Sequence, residues 1–272
     1  DAAHRFETAR RLPALCEDGA QTDAENLTAK LSWAKIQARQ RAATQKLVQG
    51  IAGLLKMRKV RVLMGEASFA DEHRLTVKTT DGTEEVPFDA CIIATGSQAF
   101  FPPPFDTAKA FLLDNSTIFD IPRLPKTLTI IGGGVIGCEM AELMNGFGVA
   151  VNIVEMQPRL LPPMDEGVAR VLTQSFTKRG IKLFTGQTAT RVAQENGQKR
   201  LTLSNGTVLE SEEILAAIGR TVDLTGMGLE KLNIPWTRKG VQVNPQTLQL
   251  KNHIYAVGDV NGLCLLAHAA TR

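Results

Sequence analysis

Three glycines, Gly132, Gly134 and Gly137, stand in the run Gly132-Gly133-Gly134-Val135-Ile136-Gly137, and an acid, Glu155, follows some way on. Bare backbone N–H groups at the start of a helix attract anions, because they are unpaired and the helix dipole adds positive character there. Glycine lets a bulky phosphate come close to that backbone. A carboxylate roughly twenty residues later, at the end of a second strand, is placed to accept hydrogen bonds from a ribose. The chemistry this spacing predicts is binding of a dinucleotide diphosphate. Glu155 would repel a 2′-phosphate, which favours NAD over NADP, whereas Arg159 leaves room for NADP. A blander reading makes the glycines a close-packed helix start and Glu155 a solvated strand-end acid.

The pattern gains specificity from the elements that must position it. Thr127–Ile131 is an apolar strand, Val135 to Phe147 has a helical pattern, and Val149–Glu155 is a second apolar strand. A helix from about Glu166 to Arg179 and a strand Ile181–Phe184 continue the alternation, which predicts a parallel sheet with right-handed crossovers. Asn196-Gly197 and Asn205-Gly206 then mark an antiparallel hairpin layer, and Ile214–Ile218 closes the domain. Upstream, Ile36, Ala43, Leu47, Ile51 and Leu54 repeat at mostly helical steps beside Trp33. Strand-like Val60–Met64 and Arg74–Thr79 follow, with a turn at Asp81-Gly82, and then a strand Phe88–Ala94 ending at Thr95-Gly96-Ser97. Pro102-Pro103-Pro104 starts a domain crossing that runs to about Pro122. A last strand, His253–Val257, leads into Gly258-Asp259.

With 272 residues and 43% hydrophobic content, two cores of ordinary size are expected. The net charge of +3 comes from interleaved acids and bases, a balance that does not point to nucleic acid. Between Asn26 and Gly65 every charged residue is basic, which reads as a solvated helix face or a surface for an acidic partner. Cys16, Cys91, Cys138 and Cys264 are too scattered for zinc and too few for a disulfide scaffold, so a reducing cytoplasm is expected. No apolar run is long enough to span a bilayer, so no membrane role is expected. Both ends look cut, since Asp1 opens directly in the helix-like stretch Ala2–Leu12 and the chain stops at Arg272 just after another helical start.

The wording Gly-Gly-Gly-Val-Ile-Gly-Cys-Glu-Met-Ala at Gly132–Ala141 resembles the NAD site of the flavoprotein disulfide reductases, most of all the dihydrolipoamide dehydrogenase branch. Ile93-Ala94-Thr95-Gly96-Ser97, Ala217-Ile218-Gly219-Arg220 and Ile254–Asp259 followed by Leu266-Ala267-His268 agree in order and spacing, so the likeness covers essentially the whole chain. It implies an α/β flavoprotein with two dinucleotide-binding domains, an NAD-binding Rossmann-like domain being inserted in a partial FAD-binding domain. The expected division is 1–119 partial FAD domain, 120–245 NAD domain and 246–272 return segment of the FAD domain.

The resemblance also assigns roles. On the NAD side it implies Gly132, Gly134, Val135, Ile136, Gly137, Glu139 and Glu155, with Gly219 and Arg220 bordering the nicotinamide. Without it, Ile136 is a core residue and Glu139 a first-turn acid stabilised by the helix dipole. On the FAD side it implies Thr95, Gly96, Gly258 and Asp259, with Leu266, Ala267 and His268 lying along the isoalloxazine by their backbones. Asp259 reads equally as a helix N-cap.

The implied activity passes electrons from a dithiol such as dihydrolipoamide, through a disulfide and FAD, to NAD. The implied setting is a homodimer, within a 2-oxo acid dehydrogenase complex. Departures from the family are clear. Val222-Asp223 stands where Pro-Asn is usual. The first flavin βαβ unit, the C-x-x-x-x-C pair and the C-terminal interface domain with its His–Glu pair have no counterpart in these residues. None of the four cysteines fits the redox pair, and neither His4 nor His268 is marked as a catalytic base. A transhydrogenase, mercuric reductase or glutathione reductase, or a non-catalytic NAD-binding module, are the alternatives.

Overall fold

The computed structural model describes residues 32–195 and 197–270. The helix-like opening, His4, Cys16, Lys30 and Asn196 lie outside them. The chain starts with helix α1, Trp33–Met57, and then an antiparallel meander of β1 (Glu66–Asp71), β2 (Arg74–Thr79) and β3 (Gly82–Pro87). Two short strands follow, β4 (Cys91–Ile93) and β5 (Gln98–Ala99). The alternating region comprises β6 (Thr127–Ile131), α2 (Val135–Gly146), β7 (Ala150–Glu155), α3 (Glu166–Lys178) and β8 (Lys182–Thr185). After it come β9 (Ala189–Glu195), β10 (Gln198–Leu203), β11 (Val208–Ser211) and β12 (Glu213–Ala216). The rest is short: β13 (Arg220–Thr221), β14 (Trp236–Thr237), β15 (Gly240–Val241), β16 (Gln249–Lys251), β17 (Ile254–Ala256) and α4 (Ala267–Ala270).

These elements form two compact units. One joins the described residues up to Leu54 to Phe101–Ile218, and the other joins Leu55–Phe100 to the described residues from Gly219 onward. The divisions therefore fall after Leu54, Phe100 and Ile218, so that neither the expected single block 1–119 nor the expected boundary at 245 coincides with a unit. Burial explains the shift. Phe105, Ala108 and Leu112 pack in the same core as Ile131, Val154, Ile214 and Ala216, and Leu113 bridges to Leu215 in parallel. Downstream, Val222, Leu224, Leu229, Leu232, Ile234 and Val241 belong to the core that holds Phe69, Ile93 and Ile254.

The first unit is built on a four-stranded parallel sheet in the order β12-β6-β7-β8. In β6 every residue after Thr127 is buried, as expected of a parallel strand covered on both faces. Leu128 and Ile130 face a core with Ala141 and Met144 of α2 and Phe176 of α3. Ile131 faces the other, under Leu201 and Leu203 of the hairpin layer. Burying one such side chain contributes about 1.5–3 kcal/mol, so this central strand is the anchor of the unit. Thr129, buried within the strand, accepts a hydrogen bond on its hydroxyl from Asn152 Nδ2 at 3.1 Å.

Helix α1 is tied down at its start. Trp33 is buried, its Nε1 donates to Ile121 O at 2.8 Å and its ring meets Phe147 edge-on at 5.9 Å. Gln37 Nε2 donates to Phe119 O at 2.6 Å. The expected apolar stripe exists, yet Leu47, Ile51 and Leu54 along it are exposed.

The second unit holds the meander and a sheet in the order β16-β17-β4. Val60–Met64, expected as a strand, is irregular, and the first meander strand begins instead at Glu66. Its apolar character had concealed a better solution, in which Phe69 of β1 is almost fully buried. The β2–β3 hairpin turns at Thr80-Asp81, one residue earlier than expected, with Thr79 paired to Gly82. Among the described residues no helix is long and apolar enough to cross a membrane.

Candidate functional site

The C-terminal end of β6 runs directly into the glycine loop and the N-terminus of α2, the edge at which parallel α/β sheets bind ligands. The three motif glycines do three different things. Gly132 takes φ +106°, and a Cβ there would lie 2.2 Å from Ala217 O. At Gly137 a Cβ would fall 1.9 Å from Gly132 O, so only glycine allows α2 to start this close to its strand. Gly134 is the N-cap of α2 and has ordinary φ, with nothing within 4 Å of an added Cβ. No side chain caps the helix. Two glycines thus hold backbone against backbone, and the third leaves open space before uncapped N–H groups, the arrangement a diphosphate requires.

Glu155 closes β7 and is buried. Its Oε2 accepts from Gly133 N at 2.7 Å and its Oε1 from Gln157 N at 2.7 Å. A carboxylate has about four lone-pair sites, so two remain for hydroxyl groups of a sugar. The reading of Glu155 as a solvated acid is excluded by this burial. Gly133 is also fastened through its carbonyl, which accepts from Leu161 N at 2.8 Å, and Leu160 packs so closely that its Cδ2 would lie 2.6 Å from a Cβ there.

Along α2, Val135 is exposed, Ile136 is half-buried and Glu139 is exposed. Cys138 is buried beneath the loop, its Sγ 3.4 Å from Gly133 O. Burial, and then the nearby carboxylates of Glu155 and Glu139, push its thiol up to about 12. Burial alone raises Cys91. Neither is a nucleophile at neutral pH, which agrees with structural roles. Cys264 is exposed.

A second constellation lies in the other unit. Strands β4 and β17 are parallel, with Ile93 opposite Ala256, so Thr95-Gly96 and Gly258-Asp259 emerge at one sheet edge. Gly96 and Gly258 have φ +69° and +75°, values that suit glycine. Asp259 Oδ2 accepts from Ser97 Oγ at 2.5 Å and lies 3.4 Å from Arg220 Nε. Arg220 Nε also donates to Ser97 Oγ at 2.6 Å, and its Nη2 donates to Ser97 O. Arg220, expected beside the nicotinamide with Gly219, thus joins the set expected beside the flavin. The family resemblance assigns Ser97 no role, and its wide separation from Asp259 in sequence hides the contact. The bland reading of Asp259 as a side-chain N-cap does not hold, since no side chain caps that short helix. Leu266, Ala267 and His268 are exposed at the start of α4.

Among the described residues no group of His, Cys, Asp and Glu is arranged to hold a metal. The folding pattern is that of the flavoprotein disulfide reductases. Comparison bears this out in structure: LpdA of Mycobacterium tuberculosis superposes with a TM-score of 0.84 at 28% identity, over 99% of this chain and 58% of that one. The HOCl-induced flavoprotein disulfide reductase RclA of Escherichia coli gives a TM-score of 0.78 at 25% identity, over 87% of this chain and 54% of that one. Residues 2–272 match the family described as pyridine nucleotide-disulphide oxidoreductase, and the chain belongs to it. A dihydrolipoyl dehydrogenase of Bacillus subtilis is 34% identical over 249 residues, 88% of this chain and 53% of its own length. One from Mycobacterium tuberculosis is 36% identical over 237 residues, 85% and 51% respectively. The chain therefore spans about half the length of the curated relatives it matches.

Proposed function

We propose that this chain binds NAD at the β6–α2 loop and forms part of an FAD-containing oxidoreductase of the dihydrolipoyl dehydrogenase type. In the division of labour we infer, the unit built on β6 and β7 is the NAD-binding domain and the unit holding β4 and β17 is part of the FAD-binding domain. The observation that carries the reading is the loop itself. Two glycines are required by backbone approach, the third stands before open space, and Glu155 is fixed to the loop by the N–H of Gly133.

The diphosphate would rest against the uncapped start of α2 beside Gly134, and Val135 and Ile136 would border it. Glu155 would accept from the adenosine ribose and disfavour a 2′-phosphate. Glu139, one turn into α2, would face the nicotinamide end. On the flavin side, Asp259 would accept from the ribityl hydroxyls, with Thr95, Gly96 and Gly258 allowing close approach. Arg220 and Ser97 hold that carboxylate in place. Leu266, Ala267 and His268 would lie along the ring by their backbones.

Bound flavin supplies two-electron transfer between a thiol–disulfide couple and a nicotinamide. The protein's contribution is to orient both cofactors and to exclude water. The net reaction converts a dithiol such as dihydrolipoamide and NAD⁺ into the cyclic disulfide, NADH and a proton. A homodimer serving a 2-oxo acid dehydrogenase complex is the setting we propose, because the matched relatives carry the dihydrolipoyl dehydrogenase name.

Titration of the purified chain with NADH, followed by nicotinamide fluorescence, tests the site. Saturable binding that is tighter than that of NADPH is expected. Absence of binding, with the fold intact by circular dichroism, would remove the reading.

A further inference from the structure

Arg159 lies four residues beyond Glu155, and its guanidinium is held by three backbone carbonyls of its own loop. Nη1 donates to Leu161 O at 3.1 Å, and Nη2 donates to Pro162 O at 2.7 Å and to Met164 O at 3.0 Å. The loop so gathered is the one fastened to the glycine loop, because Leu161 N donates to Gly133 O at 2.8 Å and the fully buried Leu160 packs on Gly133. Leu161 itself sits at φ +49°, a backbone conformation that an L-residue adopts only when its surroundings impose it. Gly133 is thus gripped from both sides: its N–H by Glu155, its carbonyl by the loop that Arg159 draws together.

An arginine this close to the ribose-binding acid would ordinarily be read as a partner for a 2′-phosphate. The geometry points elsewhere. A guanidinium takes an oxyanion in two parallel bonds either through Nη1 and Nη2 or through Nε and Nη2. Both edges need Nη2, whose two hydrogens are already directed at Pro162 O and Met164 O.

We propose that Arg159 is a positioning residue for NAD, holding the Pro158–Met164 loop against Gly133 and thereby aligning Glu155, and that it does not recognise a 2′-phosphate. The proposal rests on the dinucleotide reading of the glycine loop. Selectivity for NAD is then set by two residues acting together: an acid that disfavours the phosphate and an arginine whose Nη2 is occupied by its own loop. Lysine cannot substitute fully, since a single ammonium lacks the planar fork that reaches three carbonyls.

The test measures NADH and NADPH dissociation constants for the wild-type chain and for E155A, R159A, R159K and E155A/R159A. Loss of Arg159 should weaken NADH roughly tenfold, within the range for a lost charge-assisted hydrogen-bond network, and R159K should recover part of it. Because both residues act on Gly133, the double variant should lose about as much as the worse single variant rather than the product of the two. E155A should narrow the preference for NADH without producing one for NADPH.

Undiminished NADH binding by R159A, or losses that multiply, would overturn the positioning role. A preference of E155A for NADPH that disappears in E155A/R159A would make Arg159 a phosphate ligand and overturn the proposal from the other side. Wild-type chain that binds no NADH refutes the dinucleotide site and the proposal with it, whereas binding that R159A leaves intact refutes only the proposal. If R159A fails to fold, R159K and R159Q carry the same comparison.

Discussion

Replacing each motif glycine by alanine separates packing from ligand binding, because the three positions meet different surroundings. At Gly137 the new methyl would start 1.9 Å from Gly132 O. Ordinary carbon–oxygen contact is near 3.3 Å, so backbone must yield by more than 1 Å between β6 and α2. Helix propensity returns about 1 kcal/mol for glycine to alanine. Overpacking of this severity costs about 3 kcal/mol or more, and the net loss is therefore on the order of 2 kcal/mol. For a unit of this size that lowers the melting temperature by roughly 4–8 °C. Gly132→Ala should lose at least as much, since its clash at 2.2 Å is compounded by φ +106°. Gly134→Ala meets nothing within 4 Å, and its cost is that of a poorer N-cap, about 1 kcal/mol or less. Its methyl fills the space before the uncapped N–H groups, so NADH affinity should fall by about tenfold to a hundredfold, the equivalent of one lost charge-assisted hydrogen bond. Differential scanning fluorimetry and NADH titration of the three variants read the two effects apart. Unaltered NADH binding by Gly134→Ala, with the protein folded, would refute the assignment of that space to a phosphate.

Three further outcomes follow from the same contacts. Glu155→Ala leaves the N–H groups of Gly133 and Gln157 without their acceptor and should cost on the order of 2–4 kcal/mol in a urea titration, whereas Glu155→Gln, which keeps one carbonyl acceptor, should cost less. Iodoacetamide at pH 8 should label Cys264 in the native protein and spare Cys138, whose thiol is pushed up to about 12; peptide mass spectrometry decides, and rapid labelling of Cys138 would contradict its burial. Glu212 is held below the usual carboxylate range, first by the N–H of Lys126 and then by Arg123. A depressed carboxyl contributes stability that is present above the ordinary value of 4.5 and is lost as pH falls below it. Glu212→Gln should therefore flatten the stability profile in that acid window and leave its shape near pH 8 unchanged.

The parallel sheet was legible because the strands are almost wholly apolar and the helices between them keep their period. Thr127–Ile131 matches the observed strand residue for residue, and Glu166–Lys178 ends one residue short of expectation. What the pattern concealed was contact at long range. Nothing local marks Leu113 as a bridge to Leu215, so the stretch from Pro102 to about Pro122 reads as a crossing although Phe105, Ala108 and Leu112 within it are core. Val60–Met64 has the composition of a strand but pairs with no strand among the described residues, whereas Glu66–Asp71 pairs across five positions with β2 despite its polar ends. The glycine loop and Glu155 were readable as a unit because their chemistry is local. The engagement of Arg159 with carbonyls two to five residues ahead was not, since a charged side chain beside a binding loop suggests a ligand more readily than it suggests its own backbone.

The ribbon of β5 and β13 bears on how such a chain can be assembled. Ala99 pairs with Arg220, and Phe100 N donates to Gly219 O at 3.1 Å, so the host segment breaks off and resumes at points one hydrogen bond apart. The segment 101–218 departs and returns through that gap, while helix α1 reaches the same unit separately, before Leu55. A short loop spliced across it would leave the two-stranded ribbon continuous, which is the circumstance under which a gene can gain or shed a long inserted segment while the host strands keep the same path.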